Sequence, residues 1–272
     1  MPLFEAAARC IETGEPEEKC RLTLDTAARW RKGALSLEPG EAPRPIGEPG
    51  RPARPALVHP RELPRRRLGS AEGRAALLHA VVHIEFNAIN LAWDAVYRFR
   101  GMPAAFYADW LGVADDEARH FRLLERRLHA LGYVYGDFPA HNGLWDMAVR
   151  TAHDPLARMA MVPRVMEARG LDVTPGMRER FLRMGDRATA DALEVILREE
   201  VGHVATGSRW FRYLCAVRGL EAEATYFELL DHYLRGEIRC PLQRETRRQA
   251  GFSETELNRL EALCRKSGNS VS

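Results

Sequence analysis

The chain has 272 residues, 46% of them apolar, enough to bury a full core in one large domain or in one domain with an appendage. A formal net charge of +2 places no bulk electrostatic demand for a nucleic-acid partner. No uncharged run approaches the ~18 residues a membrane span requires, and the N-terminus lacks a charged segment followed by an apolar one, so the expected location is the cytoplasm, away from a membrane.

Residues 1–37 read as one or two short helices. Leu3, Ala7, Cys10 and Ile11 form an apolar face, and 17–32 is a second helical stretch ending near Gly33. Residues 38–68 are punctuated by prolines, which fix φ and remove donors, and this rules out a helix or central strand. The segment is either a loose linker or an ordered strap. Its end carries the basic cluster Arg61, Arg65, Arg66 and Arg67, read as a solvated charge run, with phosphate contact as the alternative.

Ser70 offers an N-cap for a helix over 70–99, and Gly101 with Pro103 ends it and starts a second over 104–131, closing at Gly132. After a connection through 132–142, Asn142 caps a short helix to about 153. Asp154-Pro155 opens a third bundle helix over 155–170, kinked by Pro163 and closed by Gly170. Thr174-Pro175 begins another short helix before the long fourth one over 187–217. Helices near 221–235 and 253–266 follow, the latter with a Ser253/Glu256 capping box. No strand signal occurs, so the expectation is all-α. Residues 1–69 would hold the N-terminal helices and strap, and 70–272 a four-helix bundle with a C-terminal helical extension.

The seams of these helices carry the chemistry. Leu78, Val82, Glu85, Ile89, Ala92 and Val96 step by four and three, a spacing that keeps one stripe on one face, and Glu85 occupies a leucine-like slot. The second seam is Phe106, Trp110, Val113, Glu117, His120, Leu124; the third is Leu156, Ala160, Pro163, Glu167, Gly170. The fourth is Leu193, Ile196, Glu200, His203, Gly207, Trp210, Leu214. The result is the order Glu … Glu-x-x-His … Glu … Glu-x-x-His, the pattern by which four helices build a carboxylate-bridged two-metal site.

Four inward carboxylates are too costly to bury unpaired. Protonation, arginine partners or metal each offset the charge, and two divalent ions close it with neutral imidazoles completing the set. The reading is a pair of metal ions on Glu85, Glu117, His120, Glu167, Glu200 and His203, with Glu117 and Glu200 bridging and Glu85 and Glu167 terminal. The alternative for each residue is a surface glutamate or a satisfied core histidine. Glu199 lies about 100° round the helix from Glu200 and is the poorer ligand. His79 and His83 share a face with each other but not with Glu85, and read as packing or surface histidines.

The five cysteines, Cys10, Cys20, Cys215, Cys240 and Cys264, are scattered without a Cys-x-x-Cys pair. That pattern argues for reduced thiols, against a disulfide framework and against a thiolate metal site.

At Asp115-Asp116-Glu117-Ala118-Arg119-His120 and Arg198-Glu199-Glu200-Val201-Gly202-His203 the chain resembles the ferritin-like di-iron carboxylate superfamily. The stretches RAALLHAVVHIEFNAINLAWD, VPRVMEARGLDVTP and LREEVGHV more closely resemble a bacterial ferritin-like family without an assigned reaction, domain-of-unknown-function 455, over roughly residues 20–265. Met166-Glu167-Ala168-Arg169 is also similar, more distantly, to tRNA isopentenyladenosine hydroxylase. The resemblance implies a ferritin-like four-helix bundle. It also implies that the acid before each Glu-x-x-His orients the histidine of the other motif: Asp116 on His203 and Glu199 on His120.

Ligands of oxygen and imidazole nitrogen suit iron first, with manganese or a mixed pair as alternatives and zinc less specifically. The leading function is an oxygen-activating oxidoreductase of the hydroxylase type, acting on a small-molecule or tRNA-type substrate, with its electron donor open and a homodimer as the assembly. Gly202 and Gly207 beside the seam would leave room for substrate, or simply let helices pack closely. Leu124, one turn after His120, cannot store a tyrosyl-type radical. The alternatives are a ferroxidase or peroxide-detoxifying protein, and a non-catalytic helical interaction module stabilised by metal.

Overall fold

The computed structural model describes residues 2–64 and 69–268, with side chains to residue 265. Arg65, Arg66 and Arg67 of the basic cluster lie outside the described residues, whereas Arg61 is exposed in a single 3-10 turn, Pro60–Glu62. Among the described residues the fold is all-α, with two isolated β-bridges and no strand. Two compact units make up the chain, Met1–Val149 and Arg150–Ser272.

In the first unit, α1 (Leu3–Glu12) and α2 (Pro16–Arg31) precede the proline-rich segment, and α3 (Ala71–Arg98) and α4 (Ala104–Ala130) pair as a hairpin beneath them. Ser70 Oγ accepts from Gly73 N–H and starts α3; Gly101, at φ 76°, turns the chain between α3 and α4. Lys19 is fully buried and takes over capping at the end of α1, donating to the carbonyls of Cys10 (2.7 Å) and Ile11 (2.9 Å) and to Asn90 Oδ1 (2.6 Å). The amine stands in for the intrahelical donors that the last carbonyls of a helix lack.

The segment 38–64 is an ordered strap. Gly50 N–H donates to Ile11 O, Trp145 Nε1–H to Gly47 O, and Arg44 N–H to the Tyr97 hydroxyl. Leu57 and Ala140 form a parallel bridge, with Val58 N–H bonded to Ala140 O and Ala140 N–H to Ala56 O. Proline removes the ladder donors, so the strap is held at separate points. At one of them only glycine fits: a Cβ on Gly50 would stand 2.1 Å from Glu12 O.

His79 and His83 pack the connection at 132–142 onto α3. Gly136 N–H donates to His79 Nε2 at 2.9 Å, and His83 Nδ1 lies 2.9 Å from the Tyr135 hydroxyl, with Phe86, Phe121 and Phe138 closing the cluster. Burial lowers the His83 pKa to about 4, so it stays neutral. α3 is long and apolar enough to cross a membrane, but 83% of its apolar window is buried inside the protein, as in a core helix.

α5 (Gly143–Arg150) ends three residues before the expected limit near 153. The second unit then departs from the sequence expectation. α6 (Pro155–Met161) opens at the Asp154 cap, continues into a π turn (Val162–Glu167), and runs on as α7 (Ala168–Arg183). Gly170 does not close the helix and Thr174-Pro175 does not start another; Pro175 sits inside α7. The widened turn takes the place of the simple kink that Pro163 predicts, because a π turn accommodates a missing N–H and a ring that an α-turn would reject.

α8 (Arg187–Val217) packs against α6, the π turn and α7, followed by α9 (Ala222–Leu234), α10 (Arg244–Gln249) and α11 (Glu254–Gly268). The Ser253/Glu256 capping box forms as the sequence predicts, with Glu256 N–H on Ser253 Oγ at 3.0 Å and Ser253 N–H on Glu256 Oε2 at 2.9 Å.

The expectation of five reduced thiols is corrected. Cys240 and Cys264 form a disulfide across 24 residues, with Cα atoms 5.4 Å apart, because the loop after α9 folds back beside α11. Cys10, Cys20 and Cys215 remain free and buried, and burial raises the Cys10 and Cys20 thiols to about 11 and about 12.

Candidate metal centre

Residues three apart on a helix share a face, so each Glu-x-x-His unit presents a carboxylate and an imidazole side by side. In the first unit, Glu117 and His120 of α4 meet Glu85 of α3. All three are buried, at 0%, 1% and 3% exposure. Each offers a ligand atom, and these atoms lie within 4.8 Å of one another. His120 Nδ1 stands 3.3 Å from Glu117 Oε2 and 3.4 Å from Glu85 Oε2.

Burial and mutual charge set the protonation of this cluster. Burial, then the charge of Glu117, hold the Glu85 carboxyl well above its ordinary range. Burial pulls the His120 imidazole down, but the hydrogen bonds and charges of Glu117 and Glu85 outweigh it and raise it to about 11. Two carboxylates and one imidazolium leave one excess negative charge, and a proton on Glu85 removes it. A divalent cation can meet the same demand, binding both carboxylates ionised and the imidazole neutral. Two oxygens and a nitrogen, without thiolate, fit a hard or borderline metal.

In the second unit the other motif repeats the arrangement. His203 is buried and its Nδ1 lies 3.5 Å from Glu200 Oε1, with the Glu200 side chain 13% exposed. Glu167, half-buried, is the last residue of the π turn, which packs on α8. The contact is tight at Gly207: a Cβ there would lie 2.3 Å from both Cβ and Cγ of Pro163. The space expected beside Gly207 for a substrate is therefore filled by the proline ring. A methyl group on Gly202 would meet nothing within 4 Å, and that residue is exposed.

Asp116 pairs with Arg119 on its own helix and is partly exposed; Glu199 is half-buried. Sequence reasoning misses the groups that hold the π turn. Arg164 and Glu256 form a buried ion pair at 2.6 Å, and Asp172 and Arg247 another at 2.7 Å. The available signal is the pair of arginines, Arg158 and Arg164, inside the otherwise apolar run Leu156–Val165, where a charge demands a partner.

A family model described as "Protein of unknown function (DUF455)" matches residues 12–258. The chain belongs to this family. It is similar to a protein of Haemophilus influenzae described as "Uncharacterized protein", with 43% identity over 265 residues, covering 94% of this chain and 92% of that one. No solved structure matches it. Membership in DUF455 carries no reaction with it, so the chemistry of this DUF455 chain rests on its buried Glu and His residues.

Proposed function

We propose that this DUF455 protein is a di-iron carboxylate oxidoreductase with a ferritin-like fold, in which Glu85, Glu117, His120, Glu167, Glu200 and His203 together hold two metal ions. The observation that carries the reading is the buried Glu85–Glu117–His120 cluster, whose excess charge calls for a cation and whose donors match iron or manganese. The repeat of the Glu-x-x-His geometry at Glu200 and His203 supports a second ion.

Bound ferrous iron would supply the electrons for reducing dioxygen or peroxide. The chain's own residues do the rest. Glu85 and His120 give up their protons when metal enters, and the apolar walls of α3 and α4 keep water from the cluster. Asp116 and Glu199, the acids before each motif glutamate, orient the motif histidines in this proposal. Hydroxylation of a small-molecule or tRNA-type substrate is the leading use of such a centre.

A second reading, iron oxidation or peroxide removal without an organic substrate, gains from one observation. Pro163 fills the space at Gly207 that would otherwise admit an organic substrate. Anaerobic loading with ferrous iron followed by exposure to oxygen, watched by absorbance and Mössbauer spectroscopy, separates the two. Repeated turnover of iron without added substrate favours the second reading, and a long-lived oxygen adduct favours the first. Failure to bind two iron ions per chain refutes both.

A further inference from the structure

The π turn that ends on Glu167 has little to fix it from within. It contains Pro163, which lacks an N–H, and its wider spacing is a departure from the α-helical ladder on either side. What holds it comes from the C-terminal helices of the same unit. Arg164, 1% exposed, lies inside the turn and donates from Nη2 to Glu256 Oε1 at 2.6 Å. Its Nε and Nη1 make no hydrogen bond among the described residues. Aromatic faces surround the guanidinium instead: Tyr226 at 4.2 Å, Phe252 at 4.6 Å and Phe211 at 4.8 Å. The Tyr226 hydroxyl donates to the backbone carbonyl of the same arginine at 3.2 Å.

Glu256 is itself fixed, because its second oxygen accepts Ser253 N–H in the capping box of α11. On the other side of Glu167, Arg169 donates to the carbonyls of Arg239 and Cys240, both at 3.0 Å, and of Pro241 at 2.9 Å. The tail therefore grips the turn three residues before Glu167 and two residues after it.

Stability is a poor explanation for the Arg164–Glu256 pair. Its single carboxylate contact and the three aromatic faces return part of the desolvation cost, but well-packed apolar residues of similar volume usually do as well or better. A directional contact inside a soft turn does what apolar packing cannot: it selects one register, and so one direction for the side chain that follows. We infer that Arg164 is a positioning residue for Glu167, and that α9 and α11, through Tyr226 and Glu256, set the aim of that carboxylate. This rests on the proposed metal site and names a part of the chain that serves it.

The test uses the full chain and two readouts: cobalt(II) titration followed by its visible absorption, and hydrogen exchange over the segment 163–171, whose first exchangeable amide is that of Arg164, in the metal-free protein. The variants are Arg164→Met with Glu256→Leu, Glu167→Ala, and Glu256→Gln, which keeps an oxygen for Arg164. Partners of metal ligands typically change affinity about 10–100-fold. The double variant is expected to weaken one of two cobalt ions about tenfold or more, the same ion that Glu167→Ala removes. Its urea midpoint is expected to hold, while exchange at 163–171 accelerates about tenfold; Glu256→Gln is expected to stay near wild type.

Unchanged exchange at 163–171, or equal weakening of both ions, overturns the inference. If the wild type binds no cobalt, the metal reading fails, and exchange alone then decides whether the clamp holds the turn. If the double variant does not fold, Tyr226→Phe, which releases only the Arg164 carbonyl, is read in the same exchange window with the same two outcomes.

Discussion

Replacing Gly207 with alanine sets a methyl group against a proline ring that has nowhere to go. An ideal Cβ at 207 would lie 2.3 Å from both Cβ and Cγ of Pro163, and ordinary contact begins near 3.4 Å, so about 1.1 Å of separation must be found. A flexible side chain would swing aside. Pro163 cannot, because its ring closes on its own backbone nitrogen, so α8 and the π turn must part. Overpacking of this kind costs about 1–3 kcal/mol, and the rigid ring puts this case toward the upper end. Alanine returns about 1 kcal/mol of helix propensity. The net loss is about 1–2 kcal/mol, a fall of about 2–8 °C in melting temperature for a chain of this size. Gly202→Ala on the same helix meets nothing within 4 Å and should gain about 1 kcal/mol. Urea melts of the two variants, compared at equal m-value, read the difference. A Gly207→Ala protein as stable as Gly202→Ala would refute the account of the proline contact and of the closed seam built on it.

Glu117→Gln removes a buried carboxylate at constant volume. Metal content measured by native mass spectrometry should fall below two per chain; retention of two ions would remove Glu117 from the ligand set. In the metal-free state the folded-state pKa values of Glu85 and His120 both lie above their ordinary values. Stability from these groups is thus complete below their ordinary pKa values and drains away as pH rises, for His120 from 6.5 up to about 11. The melting temperature of the apoprotein should fall through that range, and Glu85→Gln should flatten the slope. Reduction of Cys240–Cys264 should raise the denatured thiol count from three to five and cost about 3 kcal/mol for a loop of 24 residues. A count of five without reductant would show the pair open.

The helices are legible wherever period and caps agree. Ser70, Asp154 and the Ser253/Glu256 box start their helices as the sequence predicts, because capping is a local contest that a few residues decide. The third helix misleads for the opposite reason. Gly170 and Pro175 are local stop signals, and packing of α7 against α8 overrides them. The cluster in the first unit follows from the seam, since Glu85, Glu117 and His120 each interrupt an apolar stripe. The disulfide and the Arg164–Glu256 pair are not legible, because each joins residues 24 and 92 positions apart without a motif.

The buried Lys19 makes an unusual amine. The chain has three lysines in all, and this one is sealed at the end of α1 with its nitrogen bound to three oxygens. Burial lowers its pKa to about 7, and the three acceptors around it match the three N–H groups of the ammonium form. Acylation needs the free amine, so both the bound proton and the lack of access protect it. An acylating reagent reaches Lys19 only when α1 and α2 come away from α3. The rate at which its mass tag appears, beside the exposed Lys32 as an internal clock, measures how often the first unit breathes open.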